Sequence, residues 1–273
     1  MNRRLSSWHE RVPRWRKVVA VLLGLVAVAA AVLVVRLRAP LLVLVAMAIG
    51  VLAAALVTTA SRPRPVRQHE ALGAWASERG WSYTRVDSGL VAVWSGAPFD
   101  HGSAHTTREV LRGGWDGRGV VSCTVRWNEP TGALSGTTRH YGHLVAVMLP
   151  WLLPDLHVSP HVDDSARERH AQDVVTESVA FNAEWRVRGS DLRTVHGVLH
   201  PATMERLMLP DVRGAHLRTE GAWLLLWWPG PTVLDLLAGR IAAATDLARR
   251  IPRHVWQDHG YDPRTAGPSE ELW

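Results

Sequence analysis

The chain has 273 residues and a formal charge of +6, enough for one ordinary domain plus an anchor. The charge is lopsided: residues 1–67 sum to +10 and the remaining 206 to −4. The larger part therefore lacks the basic face that neutralises phosphates, which argues against a nucleic-acid partner. Cys123 is the single cysteine, so no intrachain disulfide forms and a reducing compartment fits.

Residues 1–17 form a basic leader with Arg11, Arg14, Arg16 and Lys17 near its end. Two apolar runs follow, 18–35 and 41–60, neither with a charged side chain. As helices they measure roughly 27 and 30 Å, close to the hydrocarbon thickness of a bilayer. Only Arg36 to Pro40 join them, which predicts an antiparallel transmembrane hairpin over 18–60. Basic residues dominate both flanks, with Arg62, Arg64 and Arg67 in the Pro/Arg linker 61–68. The positive-inside bias then places both chain ends in the cytoplasm of a bacterial inner membrane. Arg11, Arg14, Arg16, Lys17, Arg62, Arg64 and Arg67 become one ring facing anionic lipid headgroups.

A single α+β domain is expected over 69–257, with a polar tail over 258–273. His69 to Arg79 has helical spacing and Gly80 suits its end. Trp81 to Val86 suits a strand. Strands over 106–112 and 119–127 are joined by the glycine-rich 113–118 segment. Two further strands are predicted over 137–149 and 153–158, and a short helix over 164–172. Ser178 to Val187 reads as extended. Ser190-Asp191 starts a helix that Pro201 interrupts, and Pro201 opens the next, to about Met208. A late strand pair, 216–219 and 222–228, is expected to turn at Glu220-Gly221. Thr232 is placed to cap a last helix with Asp235 as its partner, apolar spacing to Ile251 and a stop at Pro252. The 14 Trp against 2 Phe and 3 Tyr predict tryptophan at core positions. The fold class is thus a two-helix membrane hairpin followed by a mainly antiparallel sheet domain with flanking helices.

The stretch Glu177 to Val187, with Asp191, Val195, Leu199, Pro201, Met204 and Leu207, carries a resemblance. So do Gly80-Trp81 and the Trp94-Ser95-Gly96-x-Pro98-Phe99 segment. Together these resemble a family of uncharacterised membrane-anchored proteins from high-GC bacteria. The resemblance implies paired membrane helices ahead of a cytosolic domain, and no cofactor or catalytic residue comes with it. Trp185 stands where that family leads one to expect Phe.

Chemistry is sparse. Among 14 histidines four close pairs recur: His101/His105, His140/His143, His157/His161 and His196/His200. The last has zincin spacing, but Gly197 replaces the glutamate that motif needs after its first histidine. His157, His161 and Asp163 supply nitrogen and oxygen ligands together and form the better metal candidate, although Asp163 and Asp164 also suit helix caps. Cys123 within a strand reads as packing, Ser135 lacks the nucleophile-elbow sequence, and Gly114-x-x-Gly117-x-Gly119 fits a hairpin better than a dinucleotide loop. Glu177 is either a buried functional acid or a partner for backbone groups where the chain turns. The reading that follows is a membrane-tethered, non-enzymatic module for a protein partner, a small ligand or a second copy, without a cofactor. The alternative is a membrane-associated, metal-dependent hydrolase using His157, His161 and Asp163.

Overall fold

In a computed structural model the residues described are 64–131, 136–161, 173–262 and 264. The chain divides into two compact units between Val66 and Arg67, and the second is described by itself. The apolar runs 18–35 and 41–60 and the expected helix 164–172 lie outside the described residues. Among the described residues, no helix is long and apolar enough to cross a membrane.

Helix α1 (Arg64–Glu78) opens the unit. Gly80, at φ +68°, ends the turn after it, so that Trp81 donates to the Ala76 carbonyl at 2.8 Å. Seven strands follow: β1 (Ser82–Val86), β2 (Ser103–Trp115), β3 (Arg118–Thr131), β4 (Gly136–Pro160), β5 (Asp173–Val174), β6 (Trp185–Gly189) and β7 (His216–Pro229). All pairings are antiparallel. The glycine-rich segment between β2 and β3 shrinks to a two-residue turn, Asp116-Gly117, both at positive φ. That conformation matches strand twist and favours an Asp-Gly pair.

Strand β4 organises the sheet. Its first half pairs with β3 on one side, its last five residues pair with β6, and β7 runs along its other side from Gly142 to Val158. The sequence suggested two strands here. The structure has one strand with an irregularity between Met148 and Leu153, opposite Gly221 of β7. The hydroxyl of buried Thr219 spans the break, donating to the Pro154 carbonyl at 2.7 Å and accepting from the Leu156 amide at 2.9 Å. Residues 216–219 and 222–228 are likewise one strand, because Gly221, at φ +56°, serves a bulge and not a hairpin.

Alternation along β4 sends Val145 and Val147 to one core and Leu144 and Ala146 to another, as the two-residue period of a strand requires. The larger core lies under the helices. These are α1, α2 (Val179–Glu184), α3 (Leu192–Val198), α4 (Pro201–Leu207), α5 (Leu234–Arg250) and α6 (Arg253–Asp258). The smaller core is closed by Leu90, Trp94 and Phe99 from the β1–β2 connection. Trp81, Trp94, Trp127, Trp185, Trp227, Trp228 and Trp256 are all buried, so tryptophan does fill the cores.

Local chemistry accounts for the helix limits. Asp191 accepts hydrogen bonds from the Arg193 and Thr194 amides at the start of α3, and Pro201 occupies the first turn of α4. Residues 178–187 are not all extended: Ser178 accepts from the Phe181 amide at 3.3 Å and starts α2. Thr232 does not cap α5. Its hydroxyl lies 2.8 Å from that of Thr124, and Val233 takes the cap position without a side-chain bond. After Pro252 the chain adds α6, whose Val255 and Trp256 enter the core.

Candidate functional site

At the far half of β4 the register sets four polar residues in a row across the sheet. His157 lies opposite Arg188 of β6 and Arg218 of β7, and Arg188 lies opposite Asp173 of β5. Directly opposed residues in an antiparallel pair share a face, so all four side chains project together. They line a groove of 760 Å³ with Asp155, Val174, Val175, Leu192 and His196. Val175 and Leu192 are exposed and give it an apolar lip.

The charges in this groove are largely paired. Asp173 lies 3.1 Å from Arg186 Nε and 3.0 Å from Arg188 Nε. Arg218 lies 2.8 Å from Glu220, whose other oxygen accepts from the amide and hydroxyl of Ser95. The Arg218 guanidinium lies so close over Gly96 that a Cβ there would fall 1.0 Å from its Nη1. A glycine at 96 is what lets the Trp94–Phe99 connection seat on β7. Burial, then neighbouring His216 and Arg218, push the His157 imidazole down to about 4, so it is neutral at pH 7. Its ring lies 6.4 Å from that of His216, which in turn stacks on Trp227 at 4.0 Å. Its Nε2 is buried without a hydrogen-bond partner. A general base needs a partner that orients the ring, and His157 has no carboxylate bonded to it among the described residues.

Among the described residues the metal candidate is not brought together. His157 and His161 are four residues apart along extended chain, roughly 13 Å, whereas two imidazoles on one zinc each approach it to about 2 Å. His161 is exposed at the end of β4, with Nε2 2.9 Å from the Asn182 carbonyl oxygen. Asp163 and Asp164 lie outside the described residues. The other pairs separate too. His140 stacks on Trp127, while His143, three residues on, is buried on the opposite face. His105 Nε2 lies 2.7 Å from the His101 carbonyl oxygen. His196 is on α3, whereas His200 precedes α4 with Nε2 2.9 Å from the Arg250 carbonyl oxygen. Among the described residues no three His, Cys, Asp or Glu side chains gather as a metal site requires.

Sequence reasoning missed two buried polar clusters. In the first, Ser122 Oγ lies 2.9 Å from His143 Nε2, and Arg240 Nη1 lies 2.8 Å from His143 Nδ1. A guanidinium only donates, so Nδ1 accepts, Nε2 carries the proton, and Ser122 is the acceptor. That is the reverse of what a serine nucleophile needs. Burial and Arg240 push His143 down to about 3. In the second, Glu109 occupies a bulge of β2 at φ +53°. Thr124 donates to its carboxylate at 2.8 Å, and Gln68 of α1 donates to the Thr232 carbonyl at 2.6 Å. His69 Nδ1 and the Tyr83 hydroxyl lie 2.7 Å apart, and burial together with Glu109 raises Tyr83 to about 12. This cluster ties α1 to the sheet. An alternation pattern around residues 107–109, broken by the bulge, was its only trace in the sequence.

Cys123 is buried and its thiol is raised to about 12 by burial, so it is unreactive packing. Glu177 is exposed, and its neighbour Ser178 meets the backbone. Ser135 lies outside the described residues, as do Arg11, Arg14, Arg16, Lys17 and Arg62; Arg64 and Arg67 fall within α1, where their side chains are not described.

No family model matches the chain, and no curated protein matches it significantly. Among solved structures it is similar to the mycobacterial trehalose monomycolate transport factor A, TtfA, at 14% identity and a TM-score of 0.49, over 67% of this chain and 96% of that one. The likeness is to a protein of mycobacteria and, at that level, assigns this chain to no family.

Proposed function

We propose that the chain is a membrane-tethered, non-enzymatic module whose sheet domain recognises a protein partner or small ligand beside the inner leaflet. The observation that carries this is the groove on the far half of β4. It is open and edged with apolar side chains, and Arg188 and Arg218 are already held by Asp173 and Glu220. A recess with paired charges and a neutral histidine suits recognition. It does not supply a nucleophile, an oriented base and an electrophile in one place. The tether is the apolar pair 18–35 and 41–60, read with both chain ends in the cytoplasm. Arg11, Arg14, Arg16, Lys17, Arg62, Arg64 and Arg67 would line the same leaflet and attract anionic lipid, each charge contributing about 1 kcal/mol.

Two measurements test this reading. A reporter active only in the cytoplasm, fused after Trp273, is expected to work, and an export-dependent reporter is expected to be silent. The reverse pattern removes the topology. A photo-crosslinking residue at Leu192, in cells, is expected to trap a discrete adduct that is lost when Arg188 and Arg218 are both changed to Glu. An adduct unaffected by those changes removes the groove from the function.

A further inference from the structure

At the opposite end of β4 from the groove, the chain leaves a small apolar surface uncovered. Tyr141, Val233 and Leu236 are 36%, 42% and 48% exposed, and Pro229 and Pro231 are exposed beside them. From Pro229 to Leu237 the sequence PGPTVLDLL carries one charge, Asp235. These residues are neighbours in space as well as in sequence. Gly230 donates to the Tyr141 carbonyl at 2.8 Å, and the Leu236 amide donates to the Val233 carbonyl at 3.1 Å. Val233 and Leu236 therefore stand one turn apart at the start of α5.

The same spot is where the chain enters the domain. Gln68, in the second turn of α1, donates to the Thr232 carbonyl at 2.6 Å. Gln68 is eight residue steps along the chain from Ala60, the last of the second apolar run. Even fully extended, eight residues reach no more than roughly 28 Å. If the tether crosses the bilayer, the Gln68 backbone is held within that distance of the point where the chain leaves the hydrocarbon, and Thr232 lies one side chain and one hydrogen bond beyond it. Arg62, Arg64 and Arg67 lie in the intervening stretch of sequence, and basic residues leading into a domain that exposes Pro, Val, Leu and Tyr make a combination that suits an anionic bilayer interface. The groove is at the other end: β6 pairs only with the last residues of β4, and β5 pairs with β6.

We propose that Tyr141 and the Pro229–Leu236 segment form a surface that docks on the anionic lipid bilayer, so that the domain stands on the membrane by this end and presents its groove away from it. The inference rests on the tethering reading. Docking of this kind gives the tethered domain a fixed orientation, and it keeps the groove away from the headgroups.

The test uses the full chain in vesicles of phosphatidylglycerol and phosphatidylethanolamine. A nitroxide is attached to Val233→Cys, Leu236→Cys or, as the distal reference, Val175→Cys; buried Cys123 stays unlabelled, and near-ultraviolet circular dichroism confirms that each variant keeps the parent fold. Collisions with a water-soluble nickel complex and with lipid-soluble oxygen are compared. The expected result is that positions 233 and 236 lose collisions with nickel and gain them with oxygen, while position 175 stays open to nickel. If all three positions stay open to nickel while the chain still floats with the vesicles after an alkaline wash, the domain hangs free and the docking surface is wrong although the tether stands. If the chain does not float with the vesicles, the tether fails and the inference fails with it. Protection at 233 and 236 that appears only when more chains are loaded per vesicle assigns the surface to a protein contact and overturns lipid docking.

Discussion

His143 shows how one side chain acquires a role that its sequence context hides. Between His140 and Leu144 nothing marks it as different from the other histidines, yet its register places it under α5 against Arg240. Its folded pKa is lowered to about 3, below the ordinary value of about 6.5. A group lowered in this way contributes its stability fully above the unfolded pKa and loses it as pH falls from there towards the folded value. His157, lowered to about 4, acts in the same direction. Between pH 7 and pH 5, His143 alone should cost the domain about 2 kcal/mol. Urea unfolding at the two pH values measures this, and His143→Gln should remove its share of the pH dependence whatever it does to stability at pH 7. An unchanged difference in that variant would show that other groups set the acid limb.

Strand β7 belongs to the scale of elements. The dipeptide Glu220-Gly221 between two apolar runs reads as a hairpin turn, and positive φ at Gly221 agrees with that. What decides against the hairpin is β4, which offers a partner along the whole length of 216–229. A long continuous ladder buries Leu217, Leu224 and Leu226 in the main core; a local hairpin would pair the two runs only with each other. Gly221→Ala should cost about 1–2 kcal/mol, the strain of a side chain in the left-handed region. Gly113→Ala is a packing counterpart. A Cβ there would fall 2.3 Å from the Trp81 ring, a buried rigid group, so overpacking should cost about 1–3 kcal/mol. Thermal unfolding measures both. A Gly113→Ala variant as stable as the parent would mean that Trp81 moves without loss.

For the molecule as a whole, the two cores on opposite faces of the sheet are built from residues between Leu72 and Trp256. Residues 64–273 expressed alone are therefore expected to be soluble without detergent and to unfold in one cooperative transition. Solubility only in detergent would place part of the core in the first 63 residues. The same fragment is expected to hold no stoichiometric zinc, because His157 and His161 are held apart along extended chain at the end of β4. Elemental analysis finding about one zinc per chain, lost in His161→Ala, would restore the hydrolase alternative.

Local features determined by the sequence alone are those with short-range causes. Gly80 ends α1, Asp191 begins α3, Pro201 begins α4 and the glycine-rich 113–118 segment holds the turn from β2 into β3, because each depends on backbone preferences or a cap within a few residues. Local strand patterns likewise marked most of the sheet, and the excess of tryptophan over phenylalanine and tyrosine pointed to tryptophan in the core. Only the tertiary structure decided which strands were continuous, where Thr232 spends its hydroxyl, and what each histidine meets. Strand continuity depends on a partner far away in the chain, as β7 does on β4, where Gly142 pairs with Pro229 and Val158 with Leu217, and no local pattern encodes that. Thr232 and Asp235 have the spacing of a cap, but Thr124 from β3 supplies a better partner for the threonine. The histidine pairs, close in sequence, come apart for different reasons: His140 and His143 fall on opposite faces of a strand, His157 and His161 are spread along extended chain, and His200 lies past the end of the helix that carries His196. The groove has the same origin: Asp173, Arg188, His157 and Arg218 come from four strands, and long-range register alone lines them up.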